Sequence, residues 1–102
     1  MIKVSGSTII VLNEKATLED KIDLENTIDA LIAEGFNKIY LDLGQTLHLP
    51  SELMGLLMWK KKVLNEGNID IVISRISSTL KTVFETAHLI DFFEINNETL
   101  VV

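Results

Sequence analysis

The stretch KIYLDLGQTLHLPSELMGLLMWKKKVLNEGNIDIVI, residues 38–73, decides the fold. Lys38–Leu43 alternates apolar and polar residues as a half-buried strand does, and Gly44–Pro50 is typical of a loop. Ser51–Asn65 repeats apolar residues at helical spacing, with a glycine just beyond its end, and Ile69–Ile73 is typical of a buried strand. A strand, a helix and a second strand in this order predict a crossover between parallel strands.

Further elements are predicted on the N-terminal side of this unit. Ile2–Ser5 alternates and Thr8–Leu12 is β-branched and apolar, so the two predict a hairpin that turns at Gly6 and Ser7. Asn13–Asp23 is polar and predicts a loop that runs into a helix start. A helix should follow, because apolar residues then recur at helical spacing until Gly35; they are Leu24, Ile28, Leu31 and Ile32.

Two elements are predicted on the C-terminal side. Ser77–Ala87 has an apolar face at helical spacing, and Phe92–Ile95 predicts a last short strand. The predicted order is therefore β-β-α-β-α-β-α-β. This alternation implies an α/β fold with a partly parallel sheet, to which the N-terminal hairpin adds an antiparallel edge.

Size and composition exclude several classes of protein. The chain has 102 residues, which favours one domain, and its formal net charge of -6 disfavours nucleic acid and anionic membrane as partners. The absence of cysteine excludes disulfides, thiolate catalysis and cysteine zinc sites, and it suits a reducing cytoplasm. The N-terminal residues have no signal-peptide pattern, and no run reaches the ~18 apolar residues of a membrane span.

The chain also lacks the patterns of catalytic and cofactor sites. His48 and His88 have no partner residues at metal-ligand spacing, and there is no glycine-rich nucleotide motif and no nucleophile motif. We therefore expect no enzyme activity, no cofactor and no metal. Asp42, at the C-terminal end of a strand, is the one acid in a site-like position, and we expect it to orient the loop before Ser51 or to hold a backbone N–H there.

The segments KIYLDL and LPSELMGLL, together with SSTLKTVFETAHLIDFFEI, resemble the STAS domain, the fold of anti-sigma factor antagonists and of the cytoplasmic tails of sulphate transporters. The family has a strand that ends in Asp-Leu, a short loop, and then Asp-Ser-Ser-Gly-Leu-Gly at a helix start. Leu41-Asp42-Leu43 matches the strand end, Ser51 falls on the first serine, and Met54-Gly55 matches the Leu-Gly pair. The resemblance covers nearly the whole chain.

The resemblance implies a single STAS-like domain over residues 1–102, with a mixed, mostly parallel sheet and helices packed mainly on one face. It implies a regulatory protein-interaction module that acts in signal transduction and transcription regulation in the cytoplasm, like an anti-sigma factor antagonist. Ser51 would be the phosphorylation site, and the partner would be an anti-sigma factor, a serine kinase or a related signalling protein. The sequence leaves a weak homodimer open and does not determine the oligomeric state.

The chain departs from the family pattern at the loop and helix start. Pro50 stands where the family has aspartate, Glu52 where it has the second serine, and Leu53 where it has glycine. An alternative is therefore a phosphorylation-independent STAS subunit of a larger assembly, such as a transporter complex. A small-molecule binding domain is a third class, favoured only by the tendency of α/β folds to bind ligands at the carboxyl ends of strands.

Ser51 also has a purely structural interpretation. A serine at a helix start can accept a hydrogen bond from an unpaired backbone N–H, proline is favoured at the first helical position, and Glu52 suits the positive end of the helix dipole. Thr46, in the same loop, is a weaker candidate phosphate acceptor.

We expect the partner to meet the loop after the hairpin and the helix that begins at Ser51. Methionine adapts to a partner's shape and tryptophan often anchors interfaces, so the non-core faces of this helix are candidates. The predicted partner-binding residues are Asn13, Glu14, Lys15, Ala16, Thr17, Pro50, Glu52, Met54, Gly55, Met58 and Trp59.

The remaining residues of this region are given structural roles. A stripe of the same helix should face the sheet, and it consists of Leu53, Leu56, Leu57, Val63 and Leu64. Lys60-Lys61-Lys62 is interpreted as a solvated helix end, and the acids Glu19, Asp20, Asp23 and Glu25 as a solvated helix start.

Overall fold

Five strands and three helices alternate along the chain in the predicted order. The structure is a computed structural model and describes all residues, Met1–Val102. The elements are β1 (Ile2–Ser5), β2 (Thr8–Val11), α1 (Leu18–Ala33), β3 (Lys38–Leu43), α2 (Ser51–Glu66), β4 (Asp70–Ile76), α3 (Ser78–Thr86) and β5 (Leu100–Val101). The α/β fold class is thus confirmed, and α2 begins at the predicted residue.

The strands form one mixed sheet in the order β1-β2-β3-β4-β5. β1 and β2 are antiparallel, as the hairpin prediction requires, and the other three pairings are parallel. Each parallel pairing is made through a helix, and each crossover moves one strand further in the same direction. Because such crossovers are right-handed, the three helices lie on the same face of the sheet.

The core lies between the helices and that face. In β2, Ile9 and Val11 are fully buried, whereas Thr8 and Ile10, which point to the other face, are only partly buried. The same alternation continues through most of β3 and β4, and the largest buried side chains of the core include Phe84, Phe93, Leu24, Leu41, Leu57 and Ile73. Because β2, β3 and β4 run parallel, their carboxyl ends lie at the same end of the sheet. The candidate site lies at this end.

Two boundaries predicted from the sequence are wrong. α1 begins at Leu18 rather than after Asp23, because Thr17 and Asp20 form a capping box that starts the helix earlier. Phe92–Ile95 is a series of turns, and the last strand is Leu100–Val101. Glu94 has φ +55, which no strand residue adopts.

The apolar pattern of the Phe92–Ile95 segment has another cause. Phe93 and Ile95 fill the core from these turns, with the ring of Phe93 5.3 Å from that of Phe84. Burial of alternate residues therefore produced a strand-like pattern without strand geometry.

Lys61 also departs from the prediction, since it is a buried residue and not part of a solvated helix end. Its ammonium group donates to the carboxylates of Asp70 and Glu94, at 2.7 and 2.9 Å, and to the carbonyl of Ile71 at 2.9 Å. Burial acts to lower the pKa of Lys61, but its bonds to Asp70 and Glu94 outweigh burial and raise the pKa above its usual value. Lys61 thus joins α2 to β4 and to the turn that holds Glu94.

The three helices have 16, 16 and 9 residues. None of the three combines the length and the apolarity needed to cross a bilayer.

Candidate functional site

The two loops singled out in the sequence lie side by side at the carboxyl edge of the sheet. The N–H of Ala16 donates to the carbonyl of His48 at 3.1 Å. The N–H groups of Leu47 and His48 both donate to the carbonyl of Glu14, at 2.7 and 3.0 Å. The fold therefore brings the Asn13–Thr17 loop against the loop that leads into Ser51, although α1 and β3 separate the two loops in sequence.

The start of α2 has no side-chain cap. Pro50 is the N-cap, with φ −66 and ψ 154, and its carbonyl accepts the N–H groups of Leu53 and Met54, each at 3.0 Å. Ser51 is the first helical residue, and its side chain is exposed. The structural interpretation in which the Ser51 hydroxyl caps the helix is therefore wrong. The N–H groups of Ser51 and Glu52 donate to no carbonyl of the backbone.

The carboxylate of Asp42 contacts the beginning of the loop that leads to Ser51. This carboxylate accepts the N–H of Gly44 at 2.9 Å and lies 3.7 Å from the guanidinium of Arg75. A Cβ atom on Gly44 would stand 3.1 Å from this carboxylate and 3.0 Å from the side chain of Val102, so a larger residue would require both side chains to shift by a few tenths of an ångström. Asp42 thus holds a backbone N–H where this loop begins, and its effect on the position of Ser51 stays a prediction.

A buried pair of hydroxyl residues fixes the middle of the same loop. The hydroxyl of Ser77 donates to the carbonyl of Thr46 at 2.6 Å, and its oxygen accepts the N–H of Leu80 at 3.1 Å. The hydroxyl of Thr46 donates to the carbonyl of Val11 at 3.4 Å. Thr46 is fully buried, so the idea that it accepts a phosphate is wrong. The sequence showed Ser77 as a helix start but gave no sign of its partner across the sheet edge.

Asp20 organises the other loop. It is buried, and its carboxylate accepts the side-chain amide of Asn13 at 2.9 Å, the N–H of Thr17 at 2.8 Å, and the N-terminal ammonium group of Met1. Burial acts to raise the pKa of Asp20, but the ammonium group and the bonds from Thr17 outweigh it and lower the pKa below its usual value. The prediction that Asp20 is a solvated helix-start residue is therefore wrong.

The predicted partner-binding residues differ in how far they reach the surface. Ala16 is buried in the core, and Met54 is half-buried against it, so neither side chain offers much surface. Asn13 and Pro50 are half-buried. The exposed members are Glu14, Lys15, Thr17, Glu52, Gly55, Met58 and Trp59.

Trp59 and Gly55 are the most distinctive of these. The side chain of Trp59 is 62% exposed, although tryptophan is among the largest apolar residues. Gly55, four residues before it, has nothing within 4 Å of the position of a Cβ atom. The exposed side of α2 thus carries a low point beside a large apolar side chain, which is a shape that a partner can fill.

The polar side chains of the site bond mostly to backbone groups. No cluster of three or more histidine, aspartate or glutamate side chains could hold a metal ion anywhere in the chain. A shallow cavity of about 300 Å³ lies beside the helix start and is lined by Lys15, Ala16, His48, Leu49 and Pro50.

Comparison with known proteins assigns no relative to this fold. No protein-family model, no curated protein and no solved structure matches the chain. The function of this protein is therefore a proposal, which the geometry of the site has to support.

Proposed function

We propose that this protein is a STAS-like regulatory module of the cytoplasm that binds a protein partner and is released from it by phosphorylation of Ser51. The partner would be an anti-sigma factor, a serine kinase or a related signalling protein. The observation that carries the proposal is the exposed Ser51 hydroxyl at an uncapped helix start. A kinase can reach this hydroxyl, and no cap has to be broken for it to react.

The protein itself would accommodate the phosphate. A phosphoserine carries about −1.5 to −2 charge at pH 7. At the start of α2 it would meet the unpaired N–H groups of Ser51 and Glu52 and the positive end of the helix dipole, an interaction of about 0.3–1 kcal/mol at an exposed position. Glu52 reduces this gain because its own carboxylate stands beside the new charge. The fold should therefore remain intact after phosphorylation.

A partner packed over Ser51 would not tolerate the same change. Contact with the exposed Glu14, Lys15, Glu52 and Met58 would cover Ser51, and a dianion there would have to be stripped of water. The cost falls on the complex and not on the free protein, so one phosphate would dissociate the partner without unfolding either component.

A second candidate is supported by Glu52. This carboxylate is exposed next to Ser51 and provides a fixed negative charge at the helix start without any kinase. In that case the protein would be a permanent subunit of a larger assembly, with Met58 and Trp59 as its contact. Such a subunit would remain bound to its assembly under all conditions.

The experiment that separates the two compares partner capture by Ser51→Asp and Ser78→Asp. Ser78 is the matched control, because it is also an exposed serine at the first position of a helix, α3. We expect Ser51→Asp to lose the protein that the wild type retains in lysate of the source organism, and Ser78→Asp to retain it. Equal retention by both variants, with unchanged circular dichroism, would contradict the switch and support the permanent subunit.

A further inference from the structure

The cavity beside the start of α2 has only basic residues among its titratable side chains. Its volume is about 300 Å³, and both loops of the candidate site contribute to its walls. We call it the Lys15/His48 cavity after these two basic residues. Its other walls are Ala16, Leu49 and Pro50.

Backbone hydrogen bonds fix the two basic residues side by side. Lys15 and His48 are paired as an isolated parallel β-bridge between the two loops. The N–H of Ala16 donates to the carbonyl of His48 at 3.1 Å, and the N–H of His48 donates to the carbonyl of Glu14 at 3.0 Å. Because paired residues of neighbouring strands lie about 4.8 Å apart, the two side chains leave the backbone next to each other. The cavity is therefore a preformed feature of the fold.

The basic side chains of the cavity have no acidic partner within the protein. Neither Lys15 nor His48 takes part in an ion pair, and both are exposed. The exposed acids nearest to them in sequence are Glu14 and Glu52, and neither lines the cavity. The cavity thus differs in charge from the protein as a whole, whose net charge is -6. Charge complementarity therefore favours an anionic ligand.

The remaining walls determine which kind of anion fits. Ala16, Leu49 and Pro50 are apolar, so they suit an anion that is carried on an apolar stem, as the carboxylate of glutamate is. The N–H groups of Ala16 and His48 already donate to carbonyl groups, and proline has no N–H. Three of the five lining residues therefore have no N–H to offer a phosphate, which is typically bound by several backbone N–H groups.

We propose that the Lys15/His48 cavity binds a glutamate side chain of the protein partner. The carboxylate would pair with the ammonium group of Lys15 and accept a hydrogen bond from the imidazole of His48. The methylene groups would pack on Leu49 and Pro50. This inference rests on the proposed function, since it names one contact that the partner makes. Pro50 directly precedes Ser51, so a phosphate on Ser51 would stand next to the cavity and repel the bound carboxylate.

The test uses two blocked tripeptides, acetyl-Leu-Glu-Leu-amide and acetyl-Leu-Gln-Leu-amide, which differ only in the charge of the central side chain. NMR follows the imidazole signals of His48. His88 is the only other histidine and lies just beyond the end of α3, so its signals are an internal control. We expect the glutamate tripeptide to shift the signals of His48 and not those of His88, and to bind more weakly as salt is added.

Variants identify the contact. Lys15→Gln should weaken binding of the glutamate tripeptide by about fivefold, as expected for loss of an exposed ion pair. Lys62→Gln is the matched control, because Lys62 is an exposed lysine of α2 that lies outside the cavity, and it should leave binding unchanged. Equal binding of the two tripeptides, or equal binding by the two variants, would overturn the proposal. Inorganic phosphate that shifts the His48 signals at a lower concentration than the glutamate tripeptide would also overturn it.

Partner capture separates this inference from the Ser51 switch. Lys15→Gln and Ser51→Asp are compared for the protein that the wild type retains in lysate of the source organism, and we expect both to retain less of it. A partner lost by Ser51→Asp but fully retained by Lys15→Gln would contradict the cavity contact alone. A partner lost by Lys15→Gln but fully retained by Ser51→Asp would contradict the switch and support the cavity contact.

Discussion

The starts of α2 and α3 are similar in sequence but differ in their hydrogen bonds. Both helices follow a parallel strand at the same edge of the sheet, and both have an exposed serine as their first residue, Ser51 and Ser78. In α3 the preceding Ser77 is buried, caps the helix and bonds to the neighbouring loop. In α2 the preceding residue is Pro50, and no side chain caps the helix.

Backbone contacts extend the difference. The N–H of Ser78 donates to the carbonyl of Val102 at 2.8 Å, so the chain itself occupies the start of α3. The N–H of Ser51 has no such partner. The start of α3 is therefore part of the framework, whereas the start of α2 is free to bind something outside the fold. This contrast is the physical basis for assigning function to Ser51.

The largest effect on the free energy of unfolding should come from the start of α1, which has more capping hydrogen bonds than the starts of α2 and α3. Asp20→Ala removes the acceptor for three donors at the start of α1, and we expect a loss of about 2–3 kcal/mol in the free energy of unfolding. Urea denaturation at neutral pH measures it. A loss in the free energy of unfolding below about 0.5 kcal/mol, which is typical of surface substitutions, would contradict this role of Asp20.

The same residue predicts a pH dependence. Because the pKa of Asp20 is lower in the folded state, the folded protein binds fewer protons and its stability rises with pH through that range. The stabilisation should be complete above the unfolded pKa of about 4 and should be lost as the pH falls through the lowered folded value. The difference in the free energy of unfolding between the wild type and Asp20→Asn should therefore become smaller in acid. A difference that stays constant from pH 7 to pH 2 would contradict this.

The next effect compares the two helix starts directly. Ser77→Ala leaves the N–H of Leu80 and the carbonyl of Thr46 without their partner, and it should cost about 1–2 kcal/mol. Ser51→Ala removes no hydrogen-bonded cap and should stay within about 0.5 kcal/mol of the wild type. Thermal and urea unfolding of the two variants check this pair. Similar losses in both would show that Ser51 is also a framework residue.

A stabilising substitution tests whether α2 is shaped for a partner. Gly55→Ala has room for its methyl group and should stabilise the helix by about 0.5–1 kcal/mol, because glycine is a poor residue inside a helix. If a partner fills the low point at Gly55, the same variant should bind that partner more weakly. If the variant is more stable and binds the partner equally well, the partner does not contact Gly55.

The sequence predicted the framework well and the polar interior poorly. Alternation and helical spacing are local properties, so they located the four longer strands and all three helices. The last strand was missed because Leu100–Val101 is only two residues long, while the turns around Phe93 bury alternate side chains. Strand pattern and core burial cannot be separated over four residues.

The polar errors have one common cause. Asp20, Thr46 and Lys61 were interpreted as solvated or accessible residues, and all three are buried. Each has a partner far away in sequence, which is Met1 for Asp20, Val11 for Thr46 and Glu94 for Lys61, although Asp20 also bonds to the nearby Thr17. The sequence around a residue does not indicate a partner that is distant along the chain. Ser51 was located correctly at the helix start, but only the structure shows that its hydroxyl does not cap the helix.

The central claim is most directly tested by intact-mass spectrometry of the protein purified from its own organism under several growth conditions. The wild type is compared with Ser51→Ala and with Ser78→Ala, which removes the equivalent serine of α3. We predict a phosphorylated fraction in the wild type and in Ser78→Ala that is absent from Ser51→Ala. A phosphorylated fraction that persists in Ser51→Ala, or none in the wild type under any condition, would contradict the claim that Ser51 is a switch.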